Sequence, residues 1–227
     1  AGGEGCHNVI NALYIGAIQT VDTIGQKLGR EPSKRIKPLT GAFVRAFYRE
    51  DAGLFADSTV SNHCSVHSNI FPLFYGFAPE AAVKGIVQWI TEKRLSCSVY
   101  MSFFLLKGLA RAGEYALLYE LLTSTGPHSW ANMLKEGATA CFEAWGKDRK
   151  WNTSLCHPWA SAPIPVVIED ILGLSPEAHG WKTVRFEPHL PDGLEEISLE
   201  MTVNRRKILV KTYQDSVTGK RRTHMNG

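Results

Sequence analysis

Val99-Tyr-Met-Ser-Phe-Phe-Leu-Leu-Lys-Gly-Leu-Ala-Arg-Ala-Gly-Glu-Tyr-Ala-Leu-Leu-Tyr-Glu-Leu-Leu122 reads as two helices and the turn between them. Val99 to Ala112 is mostly apolar, Gly113 is placed to end a helix, and Glu114 to Leu122 turns back as its partner. Similar segments lie upstream. Residues 8–29 place Ile10, Leu13, Ala17, Val21, Ile24 and Leu28 at steps of three and four, an amphipathic helix stopped at Gly29. Ser33 to Arg49 brings Leu39, Phe43 and Phe47 to one face, and His67 to Gly76 is apolar almost all round, as a buried segment would be. Pro79 opens a helix reaching about Lys93. Downstream, a short helix around Trp130–Lys135 and a last one from Pro158 to Leu172, capped at Gly173, are expected.

After Gly180 the period changes. Thr183 to Glu187, Glu196 to Val203 and Arg206 to Tyr213 alternate polar and apolar residues, the mark of strands, with Pro191-Asp-Gly193 and Asn204-Arg205 as turns. The expected fold is therefore mainly α with a β-rich C-terminal module: residues 1–178 helical, residues 179–227 a separate β domain. No fixed-period repeat is visible, so an α/α toroid fits better than a repeat array.

At 227 residues, 44% apolar and 21% charged, the chain is an ordinary globular sequence with room for a sizeable core. The net charge of +3 is uneven: from Arg205 onward the chain carries +6, leaving −3 for the rest. No aromatic–basic interleaving accompanies that tail, so it reads as solvated strand faces, and no nucleic-acid partner is expected. The five cysteines are an odd number with no C-x-x-C pair, which points to reduced, mostly buried thiols. No apolar run approaches the ~18 residues of a membrane helix and no signal peptide is visible; a soluble, cytoplasmic or periplasmic protein without a membrane partner is expected.

Chemistry concentrates between Trp130 and Pro163. Glu143 is the only acid in Ala138-Thr-Ala-Cys-Phe-Glu-Ala-Trp145, with Phe142, Trp145 and Trp130 around it, and His157 follows in Cys156-His-Pro-Trp159. A carboxylate among aromatic faces suits sugars, whose C–H faces stack on indole while their hydroxyls need sparse polar groups. From the residues alone, Glu143 reads equally as a surface acid, and His157 as a structural histidine at a helix start. His63-Cys64 and His67 match no standard zinc spacing, so no metal and no cofactor is expected. Asp57-Ser58 and His67-Ser-Asn69 read as turn and cap chemistry. P-loop, dinucleotide, G-x-S-x-G and H-E-x-x-H signatures are absent.

The chain nevertheless carries linked motifs in order: His67-Ser-Asn-Ile-Phe-Pro-Leu-Phe-Tyr-Gly76, Trp130-x-x-Met133-x-x-x-Gly137-Ala-Thr139, Phe142-Glu-Ala-Trp145, Cys156-His-Pro-Trp-Ala-Ser-Ala-Pro163 and Trp181-Lys-Thr-Val-Arg-Phe-Glu-Pro188. Together they closely resemble bacterial α-L-rhamnosidases of glycoside hydrolase family 78. The resemblance implies part of an (α/α)6 barrel of the six-hairpin glycosidase type, then the beginning of a β-sandwich, acting on terminal α-L-rhamnosyl residues with inversion. It makes Glu143 the general base, puts His157 in the sugar subsite, and lines that subsite with Trp145, Trp130 and, less directly, His67. The partner it implies is a rhamnose-containing oligosaccharide or glycoside. The family's general acid belongs to an acidic, Arg-containing motif expected before Ala1. With seven or eight helical segments against the twelve of a full barrel, the chain is expected to be an internal fragment, inactive or marginally folded unless it associates. Two other readings stay open: another α/α-barrel enzyme, such as an unsaturated glucuronyl hydrolase or a glucoamylase-like glycosidase, and a non-catalytic carbohydrate-binding remnant.

Overall fold

A computed structural model describes residues 4–226. Two compact units divide the chain, Ala1–Ala112 and Gly113–Gly227, the division falling at the turn of the hairpin quoted above. No described helix is long and apolar enough to cross a membrane.

The first unit is built on α1 (Asn8–Lys27), α2 (Ile36–Phe47), α3 (Val66–Tyr75), α4 (Glu80–Lys93) and α5 (Val99–Arg111), with a small hairpin of β1 (Tyr48–Arg49) and β2 (Leu54–Phe55). The α3 helix sits at its centre and is buried over most of its length. Ser65 caps its start by accepting from the Ser68 amide at 3.2 Å. Gly76 ends it in the left-handed conformation at φ 70°, its amide donating to Leu73 O and that of Phe77 to Pro72 O. Asn69, wholly buried, acts as a strand partner: its Oδ1 accepts from Phe55 N at 2.9 Å and its Nδ2 donates to Phe55 O at 3.1 Å. One side chain thus satisfies both backbone groups that a two-residue strand would leave bare. Gly108 of α5 lies against α3, where a Cβ would meet Leu73 and the Phe74 backbone at 3.4 Å, and Phe71 and Phe104 join the two helices at 5.3 Å between ring centres.

The α1 helix forms where expected but turns another face inward. Asn8, Ala12, Ile15 and Gly16 are buried, whereas Ile10, Leu13, Val21, Ile24 and Leu28 of the apolar stripe are exposed. The Tyr75 ring occupies the space beside Gly16 where a Cβ would stand, so close approach of small residues, not the aliphatic stripe, sets the contact with α3. On α2, Phe43 and Phe47 are buried as expected, joining Phe55 and Phe77 in an aromatic cluster.

The second unit begins with α6 (Tyr115–Leu122) and the short α7 (Trp130–Lys135), capped by Ser129, which accepts from the Asn132 amide at 3.0 Å. The helix expected over Pro158 to Leu172 is broken instead. A 3-10 turn at Pro158–Ala160, one α turn at Pro163–Val166 and a π turn at Val167–Ile171 replace it. Pro163 and Pro165 each remove a backbone donor there, so the regular ladder cannot run through.

β structure then starts earlier than the sequence pattern indicated. β3 (Leu174–Pro176) pairs antiparallel with β4 (Val184–Phe186). Gly173, at φ +75°, leads into β3 against the other chain: a Cβ there would lie 1.8 Å from the Glu187 carbonyl oxygen. A three-stranded antiparallel sheet follows, β5 (Glu196–Val203), β6 (Arg206–Gln214) and β7 (Arg221–Asn226). Asn204 and Arg205 both have positive φ, the tight turn that matches strand twist, and Val203 faces Arg206 across it. The alternating residues Ile197, Leu199 and Met201 pack on a core of Leu172, Leu174 and Val210. β7 lies beyond the last stretch whose alternation marked a strand. The basic residues of this region make cross-strand pairs, Lys207 with Glu200 at 2.9 Å and Lys211 with Glu196 at 2.8 Å, on solvated faces.

The cysteines depart from expectation. All five are free, but only Cys97 is buried, its thiol pushed up to about 12 by desolvation; Cys6 and Cys156 are exposed.

Candidate active site

Gly137, at φ 84°, stops α7 and releases the chain into an irregular segment that returns at His157. Polar anchors hold this loop. Glu136 accepts from Asn132 Nδ2 at 2.9 Å and from the Lys147 amide at 2.7 Å, and Asn132 Nδ2 also donates to Trp145 O at 2.9 Å. The two arms of the loop are tied by Glu143 N donating to Ser154 O at 2.9 Å and His157 N donating to Cys141 O at 2.8 Å. These two bonds bring Glu143 and His157, distant in sequence, onto adjoining backbone.

The Glu143 carboxylate accepts from Lys150 Nζ at 2.5 Å on one oxygen and from the Ser154 amide at 3.2 Å on the other. Its pKa is lowered, first by the Lys150 hydrogen bond and then by the Ser154 amide, with the charges of Lys150 and His157 adding and slight desolvation opposing. The acid is therefore ionised and oriented, with part of its surface open to water.

Phe142 and Trp145 are 3% and 4% exposed, and Trp130 meets Trp145 edge to face at 5.0 Å while donating Nε1–H to Ala160 O at 2.9 Å. These rings pack as the support of the loop, and Glu143 turns instead to Lys150 and Ser154. Phe142 is buried, while the Glu143 carboxylate is bonded to Lys150 and Ser154. The ring beside His157 is Trp159, edge-on at 4.6 Å and 38% exposed, whereas Trp151 is 95% exposed. Trp159 was legible only through its place in Cys156-His-Pro-Trp159.

His67 belongs to the first unit, on the opening turn of α3. There it lines a cavity of about 650 Å³ together with Asp57, which the sequence reading assigned to turn chemistry. Burial alone would raise the Asp57 carboxyl, but hydrogen bonds from Ser68, His63 and Ser65 outweigh it and hold it at about 2. Oδ1 accepts from Ser68 Oγ at 2.6 Å and Ser65 N at 2.9 Å, and Oδ2 meets His63 Nδ1 at 2.6 Å. The half-buried His67 ring is shifted down by desolvation, against the pull of Asp57. Asp57 could be missed because its partners come from eleven residues downstream at Ser68 as well as from the local turn.

The site is thus a carboxylate on a loop stapled by backbone hydrogen bonds, in a chain built of consecutive helices. The model of the bacterial alpha-L-rhamnosidase 6 hairpin glycosidase domain matches residues 2–171, and the chain belongs to that family. Among curated proteins none matches. Three solved structures share the fold. The alpha-L-rhamnosidase from Dictyoglumus thermophilum aligns with a TM-score of 0.78 at 20% identity, over 90% of this chain and 24% of its own. The enzyme from Streptomyces avermitilis, solved with L-rhamnose, gives 0.75 at 18% identity, over 91% and 21%. The enzyme from Aspergillus terreus gives 0.76 at 21%, over 94% and 26%. The chain thus spans about a quarter of the length of these relatives.

Proposed function

We propose that this chain carries the general-base side of an inverting α-L-rhamnosidase of glycoside hydrolase family 78, acting on terminal α-L-rhamnosyl residues of glycosides. The observation that carries the reading is Glu143, ionised by Lys150 and Ser154 and tied beside His157 within a domain of the rhamnosidase family. An ionised carboxylate with an open edge can take a proton from water as that water attacks the anomeric carbon. Inversion also requires a carboxylic acid roughly 6.5–9.5 Å from the base, leaving room for the water; we assign that acid to no residue of this chain.

In this reading His157 and Trp159 contact the sugar, Trp130 borders the subsite, and Trp145 backs it from within. The helical part, residues 1–178, contributes to an (α/α)6 barrel, and residues 179–227 begin a β-sandwich. The Streptomyces relative solved with L-rhamnose supports the choice of sugar.

The test is hydrolysis of an aryl α-L-rhamnoside by the protein carrying these residues, with the anomer of the released sugar read by NMR. β-L-Rhamnose as first product, with turnover lost in Glu143→Gln, supports the reading. The α anomer as first product, or full turnover in Glu143→Gln, overturns it.

A further inference from the structure

The basic side chains of the β part are not all alike. Lys207, Lys211, Arg185 and Arg222 each lie against an acid, respectively Glu200, Glu196, Glu187 and Asp215. Lys182 and Arg206 are exposed and form no ion pair among the described residues, and both line one cavity of about 500 Å³. That volume is within the range of small-molecule sites, roughly 300–1,000 Å³. No acid is among the described residues that line it. The residues concerned lie beyond the stretch 2–171 that the family model matches, so the cavity stands apart from the glycosidase reading.

The rest of the lining is apolar: Trp181, Val184, Val203, Ile208 and Met225. Three of these, Trp181, Val184 and Ile208, also pack on the core of Leu172, Leu174 and Val210, which anchors this wall from behind. Asn204 Nδ2 donates to Gly180 O at 2.5 Å, tying the β5–β6 turn to the residue before Trp181. Two sides of the cavity are therefore fastened to each other, and a site so preset loses little entropy on binding.

We propose that this cavity binds a small aromatic carboxylate, its ring against the apolar lining beside Trp181 and its carboxylate paired with Lys182 and Arg206. A cation is disfavoured by two positive charges with no acid to offset them. A neutral ligand would leave both charges without a counter-charge, and a bare inorganic anion would leave Trp181 and the aliphatic wall unused. A planar carboxylate matches the guanidinium fork of Arg206 through two parallel N–H···O bonds. A flat ring suits the Trp181 indole and the Met225 thioether, which is half exposed.

The experiment titrates the 227-residue chain with cinnamate, with its neutral amide cinnamamide and with cinnamylammonium, following the Trp181 indole N–H signal by NMR. A saturable shift with cinnamate is expected, weaker with cinnamamide, absent with cinnamylammonium, and reduced by added salt. Lys182→Gln combined with Arg206→Gln should weaken cinnamate binding about 5-fold or more. Both side chains are exposed and unpaired, so the fold keeps its contacts in this variant. Lys207→Gln, which removes an equal charge from a paired position outside the cavity, should leave the affinity unchanged. No saturable shift with cinnamate, equal affinity for cinnamate and cinnamamide, unchanged affinity in the double variant, or an equal loss in Lys207→Gln overturns the proposal.

Discussion

Asp57 and Glu143 are two carboxylates held ionised by different means. Asp57 is set against burial and is kept charged by neutral and local donors, two serines and a histidine whose ring Nδ1 touches it. Glu143 is partly buried, its side chain 20% exposed, and is kept charged by a cation, Lys150, and one backbone amide. The first arrangement is built into a helix cap and cannot be loosened without loosening α3. The second joins two side chains of one loop, Glu143 and Lys150, and belongs to no helix cap. In the proposed reading only the second of these carboxylates exchanges a proton with water.

The largest test of this contrast is Glu143→Gln. Removing a general base should lower kcat about 10²–10⁴-fold, with KM little changed; steady-state kinetics on an aryl α-L-rhamnoside decide it. Asp57→Asn should act on stability instead, costing about 1–2 kcal/mol in urea unfolding, a value reduced for the water that still reaches the group. The sign with pH follows from the depressed carboxyl. Its stabilising contribution is present above the ordinary aspartate value of about 3.9 and is lost as pH falls toward about 2. Denaturation midpoints measured across that window should converge for wild type and Asp57→Asn at the acid end.

Lys150→Met gives a smaller effect. Without the cation the Glu143 carboxyl rises, so activity should be lost at a higher pH on the acid side, while Lys150→Arg keeps the limb near its original place. An acid limb unmoved in Lys150→Met would break the comparison. The smallest expectation is Trp151→Ala: at 95% exposure it should change stability by less than about 0.5 kcal/mol.

The elements of the first unit were largely legible, because their periods and stops are local: Gly76 after α3 and Gly113 after α5 say where helices end, although the cap read at His67-Ser-Asn69 falls at Ser65. Orientation was not legible where packing overrode hydrophobicity. The α1 stripe from Ile10 to Leu28 predicts a buried face, yet Gly16 and Tyr75 select the opposite one. β7 escaped notice since Arg221 to Asn226 is exposed throughout and is held by its ladder to β6, a pairing no alternation announces. At the candidate site, Glu143 and His157 were found through motifs. Lys150 was not singled out, and Asp57 was read as a turn residue. Both owe their importance to partners that spacing alone does not reveal.

Gly173 has a consequence of another kind. The passage from helical to β chain runs through this residue, whose Cα faces the Glu187 carbonyl with no room for a methyl group. In a saturation mutagenesis library, nearly every codon change at 173 should be depleted even under selection for folding alone, while neighbouring loop positions such as Trp151 accept most replacements. Tolerance along this polypeptide is thus set by a backbone crossing as sharply as by chemistry.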